Sequence, residues 1–143
     1  MGLDNGLMIK AKTLDASRWL EQGYKDLNEN GTIYEFWYGR KDWNVRAKFL
    51  DTFHDKGYDG EGGDIYLTIA DLVQVREIFK YFLDETHWYE DQGGIMHGGS
   101  IWTWEESLRS TAEAIWNITR FLEDVYDKGF TDEDFEIWFY DSY

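Results

Sequence analysis

Arg40, Lys41, Arg46 and Lys48 form the one basic concentration in a chain that carries 29 acidic against 14 basic side chains. Arg40 and Lys41 stand where a strand gives way to a helix, and the free N–H groups of a helix start favour anions. The chemistry this offers is a small anion, nucleotide or phosphorylated-metabolite site. Arg40, Lys41 and Arg46 would supply the cations, and His97 would reach in from a glycine-rich loop as acid or base. The competing reading is ordinary ion pairing, in which the same cations neutralise acids such as Glu35 and Asp42 across sheet and helix.

Other constellations carry less. His97-Gly98-Gly99-Ser100 invites a nucleophile reading, but Trp102 stands where a nucleophile elbow needs glycine, and no strand precedes the segment. Asp84-Glu85-Thr86-His87 contains a single carboxylate-x-x-His step, whereas di-iron bundles use that step twice with two further carboxylates. Asp55 to Gly60 echoes a calcium loop, yet Gly57 occupies a ligand position and Tyr66 falls where a bidentate Glu is required. No catalytic set, metal or cofactor is implied.

The acidic and aromatic residues offer a different chemistry. Asp132, Glu133, Asp134 and Glu136 crowd the last stretch together with Asp124, Asp127 and Asp141, against Lys128 alone. Carboxylates spaced along a surface imitate phosphates and suit a protein whose own groove is basic. Strand alternation prevents Trp37, Trp138 and Tyr140 from all facing one core. Those on the second face, Trp138 and Tyr140 among them, have the character of interface anchors. The bland alternative is a sheet covered on both faces inside a solubilising acidic coat.

The elements that must position these residues follow from hydrophobic periodicity. Leu7 to Ala11 reads as a short strand behind a turn-like Asp4-Asn5-Gly6, and Ala16 to Gln22 as a brief helix. Ile33 to Tyr38, β-branched or aromatic around Glu35, predicts a strand. From about Asp42 to Lys56 a helix aligns Val45, Phe49, Leu50 and Phe53. Asp64 to Leu67 is a strand, and Thr68 with Asp71 makes a variant capping box for a helix bearing Leu72, Val75, Phe79, Phe82 and Leu83. Thr103 with Glu106 opens a long helix whose predicted stripe is Leu108, Ala112, Ile115, Thr119, Leu122 and Tyr126, closed by Lys128-Gly129. Phe135 to Tyr140 is the last strand, with Phe135, Ile137 and Phe139 on one side. The expected fold is α+β: one domain over residues 1–143, with a mostly antiparallel sheet of about four strands packed by three helices.

The 143 residues suit one domain, and the net charge of −15 disfavours direct contact with nucleic-acid backbones or anionic membranes. The chain has no cysteine, so no disulfide framework or thiolate chemistry is available, which fits a reducing compartment. No run approaches the roughly 18 apolar residues of a membrane span, and Met1 to Lys12 lacks a signal-peptide pattern. The expectation is a cytoplasmic protein.

Met1-Gly2-Leu3-Asp4, Tyr38-Gly39-Arg40-Lys41 followed by Val45, Tyr66-Leu67-Thr68 with Leu72, and the glycine loop Gly94 to Ser100 together resemble a family of small proteins encoded by phages and prophages. The chain departs from that pattern at Gly39, where the family usually has Trp, and at Arg46, where His is common. The resemblance implies a phage or prophage origin and a host-cytoplasm setting, and it brings no established activity. The leading expectation is therefore a non-catalytic, acidic binder of a host or phage protein with a basic surface, with counter-defence by nucleic-acid mimicry as its finer form. The rival is the small-molecule site built on Arg40, Lys41 and His97. Self-association through an exposed edge strand is a third expectation.

Overall fold

The computed structural model describes residues 4–23, 33–40, 43–56, 63–84 and 104–142. In chain order they form β1 (Asp4–Ala11), α1 (Leu14–Gly23), β2 (Ile33–Arg40), α2 (Trp43–Thr52) with a 3-10 turn at His54–Lys56, β3 (Gly63–Leu67), α3 (Asp71–Tyr81), α4 (Trp104–Lys128) and β4 (Phe135–Ser142). The strands make one sheet in the order β2-β1-β4-β3, every pairing antiparallel. The fold is α+β, as expected, and the brief helix read at Ala16 to Gln22 is present as α1, which buries Ala16 and Leu20 and joins the three helices expected to pack the sheet.

β1 is longer than its hydrophobic run. Asp4-Asn5-Gly6, expected as a turn, continues the strand, because Asp4, Asn5 and Gly6 pair with β2 on one side and β4 on the other. Gly6 permits this. A Cβ at that position would overlap the Tyr140 ring, which lies across the Gly6 backbone from the next strand. A register shift between Leu7 and Met8 sets Leu7 opposite Trp37 and Met8 opposite Glu35, leaving Phe36 as the extra residue of a bulge. Bulges bend and twist their strand, and here both Phe36 and Trp37 are buried.

The helices bury their apolar stripes on one face of the sheet, in two aromatic groups. At one end Trp19 of α1 and Phe121 of α4 meet Phe130 and Phe135, with Trp19–Phe130 centroids 5.3 Å apart and Phe121–Phe135 centroids 5.1 Å apart. Phe36 joins them edge-on to Phe121 at 5.2 Å. At the other end Phe49 of α2 lies near-parallel to both Trp37 and Phe139, at 6.5 and 4.3 Å. Phe79 of α3 abuts Trp37 at 5.2 Å. Such rings bury about 150–250 Å² each, so few residues suffice for a core.

Two helix stripes differ from expectation. In α3, Leu72, Val75 and Phe79 are buried as predicted, with Ile78 beside them and Phe82 just beyond the helix, but Leu83 is exposed. In α4 the buried line is Ser107, Thr111, Ala114, Ile118, Phe121 and Val125, one residue out of phase with the predicted line. Both lines satisfy a 3.6-residue repeat, and one residue is a rotation of about 100°. Contact with Trp19, Phe36 and Phe135 selects the line that contains Phe121. Tyr126, on the rejected line, is 87% exposed.

Capping chemistry marks the helix ends. The Thr68 N–H donates to Asp71 Oδ2 at 2.9 Å while the Asp71 N–H donates to Thr68 Oγ1 at 3.1 Å, a reciprocal box ahead of α3. α4 ends at Gly129, whose φ of +74° suits a residue without Cβ, and the Phe130 N–H returns to the Val125 carbonyl at 3.1 Å.

Candidate interaction surface

The face of the sheet opposite the helices displays two cross-strand rows. Glu35, Met8, Trp138 and Tyr66 form one, and Tyr38, Gly6, Tyr140 and Asp64 form the other. Strand alternation sends these side chains away from Leu7, Ile137 and Phe139, which line the core. Tyr66 is 55% exposed and Tyr38 37%, while Trp138, Tyr140 and Met8 are half-buried. Lys10 and Glu136 pair across β1 and β4 beside the first row. Among the described side chains of this face, Glu35, Asp64 and Glu136 stand against Lys10, three acids to one base. Rings with negative π-faces among carboxylates attract cationic side chains.

Two edges bound the surface. Along β2, α4 runs beside the strand, where Ser110 Oγ donates to the Tyr38 carbonyl and Asn117 Nδ2 to the Phe36 carbonyl, each at 3.1 Å. Between strand and helix lies a groove of about 530 Å³, walled by Tyr34, Glu35 and Tyr38 on one side and by Glu106, Arg109 and Glu113 on the other. Glu35 and Tyr38 belong to both the groove and the open face. At the far edge, β3 pairs among the described residues on one side only, with β4.

The interaction-surface candidates separate into two sets. Trp138, Tyr140 and Glu136 lie together on the open face. Asp132, Glu133 and Asp134 lie in the turn between α4 and β4, where two of the carboxylates tie loops together. Asp132 Oδ1 accepts from the Ile69 N–H at 2.7 Å. Asp134 accepts from the Thr13 hydroxyl at 2.9 Å and the Thr131 N–H at 2.8 Å. Glu133 is exposed.

The anion-binding candidates are not brought together among the described residues. Arg40 ends β2, with its backbone opposite Asp4, while Lys41 and His97 lie outside the described residues. Arg46 is turned inward, and its Nε sits 2.7 Å from Asp141 Oδ2, a carboxylate with no solvent exposure. That is the ion-pairing alternative, with a partner 95 residues away that local spacing could not reveal. Lys48 Nζ lies 4.4 Å from the centre of the Tyr81 ring. Asn5, the cross-strand neighbour of Asp141, is fully buried, and its amide nitrogen and oxygen both lack hydrogen-bond partners.

The other ion pair of consequence is structural. Lys56 Nζ reaches Asp71 Oδ2 at 2.8 Å. Burial pushes the Asp71 carboxyl up, but the Lys56 ammonium and hydrogen bonds from Thr68 outweigh it, and the pKa ends below the ordinary carboxylate value. Among the described residues no group of three His, Asp or Glu side chains is placed to hold a metal ion, and no helix is long and apolar enough to cross a membrane. No protein family, curated protein or solved structure matches the chain.

Proposed function

We propose that this protein is a non-catalytic binding module that docks onto a basic protein surface through the open face of its sheet. The observation that carries the reading is the two-row aromatic face, Tyr38, Tyr66, Trp138 and Tyr140 set among Glu35, Asp64 and Glu136, on the side of the sheet away from the core. Aromatic anchors supply the energy of such an interface and carboxylates supply its steering and specificity. The overall charge of −15 acts in the same direction, drawing a cationic partner from a distance. On the origin implied by the sequence resemblance, that partner is a host or phage protein. Proteins that bind nucleic acids present basic grooves of this kind, and occupying one would make the protein a counter-defence decoy.

The test is affinity capture by the full chain at about 50 and about 500 mM salt, since screening shortens the reach of surface charge. We expect a basic partner whose recovery falls steeply with salt and is lost in Trp138→Ala and Tyr66→Ala. Tyr126→Ala, which removes a more exposed ring from the helical side, should leave recovery unchanged. Capture that ignores Trp138→Ala, or that depends equally on Tyr126, refutes the reading.

A further inference from the structure

We infer that the groove between β2 and α4 receives an arginine side chain from an extended basic segment of the partner; this deepens the function proposed above and rests on it. Three features select that occupant. First, the Tyr38 and Phe36 carbonyls along the β2 edge already accept from Ser110 and Asn117. Addition of a further strand by main-chain pairing is blocked there, which leaves side-chain chemistry. Second, among the described lining residues Glu35, Glu106 and Glu113 outnumber Arg109, so charge complementarity favours a cation. Third, Tyr38, 37% exposed, places a phenol ring in the same wall, and the cavity of about 530 Å³ is far larger than a single ammonium needs. A guanidinium uses both features, stacking its plane on a ring while its N–H fork meets carboxylates, whereas lysine offers a compact, strongly hydrated charge. Continuity supports the assignment, because Glu35 and Tyr38 face the groove and the open sheet alike. A segment lying across the aromatic rows would therefore reach the groove without leaving the surface.

The experiment is calorimetric titration of the full chain at low salt with a blocked tri-arginine peptide, with tri-lysine as comparison. Glu113→Gln and Glu106→Gln each remove one groove carboxylate from an exposed helix position. Glu123→Gln makes the same charge change farther along α4 and controls for general attraction to an acidic protein. We expect tri-arginine to bind more tightly than tri-lysine. Each groove substitution should weaken it roughly tenfold, as expected for loss of a charge-assisted hydrogen bond, and Glu123→Gln less than about twofold. Equal affinity for the two peptides, or equal loss at Glu113 and Glu123, overturns the inference. Trp138→Ala separates this reading from the parent one. It should abolish capture of the protein partner while leaving tri-arginine binding intact. Partner capture that depends on Trp138 but not on Glu106 or Glu113 would overturn the groove and keep the sheet face.

Discussion

Replacing Arg46 by methionine tests whether this side chain belongs to the core or to a ligand site. Its Nε lies 2.7 Å from Asp141 Oδ2, with 16% of the Arg46 side chain and none of the Asp141 side chain exposed. Removing the cation takes the ion-pair partner from a carboxylate in the interior, next to an Asn5 amide that makes no hydrogen bond. Breaking a buried pair in this way costs about 3–5 kcal/mol, and the residual exposure of Arg46 argues for the lower end, about 3 kcal/mol. For a chain of this length that corresponds to a Tm loss of roughly 10 °C. Urea denaturation of wild type, Arg46→Met, Asp141→Leu and the double variant closes the cycle. The double variant should recover to within about 1 kcal/mol of wild type, because replacing both charges by apolar groups of similar volume is often neutral. A single-variant loss below about 1 kcal/mol would class the pair with exposed ion pairs and refute the reasoning. So would a double variant as unstable as the sum of the singles.

Two further outcomes follow from the packing. Asp71 has a lowered pKa in the folded chain, so its contribution is fully present above the unfolded carboxylate value of about 3.9 and is lost as the pH falls through the lower folded value. Asp71→Asn should therefore flatten the acid limb of a stability–pH profile measured by chemical denaturation, and an unchanged limb would remove Asp71 from the account. Phe121→Ala should cost about 3–5 kcal/mol while Tyr126→Ala stays within about 0.5 kcal/mol, measured by urea titration, and the reverse order would return α4 to its predicted phase.

Much of the candidate surface was legible in the sequence. A strand with Phe135, Ile137 and Phe139 inward must send Glu136, Trp138 and Tyr140 the other way, whatever covers either face. The neighbours that turn these into rows come from register: Tyr66 from the pairing of β3 with β4, and Tyr38 from that of β1 with β2, which shifts at the Phe36 bulge. Arg46 illustrates the opposite case. Its charge was plain, but its partner Asp141 arrives only when β4 pairs with β1 in the middle of the sheet.

By itself the sequence determined the element types, the Thr68–Asp71 box and the glycine stop after Lys128, because capping and periodicity are local and act over three or four residues. It also determined the net charge of −15, since charge is additive and needs no fold. Tertiary structure alone decided the strand order, the rotation of α4 that chose Phe121 over Tyr126, and the extension of β1 through Asn5 and Gly6. Each of these depends on which distant side chains compete for the same space, and no local pattern encodes that competition.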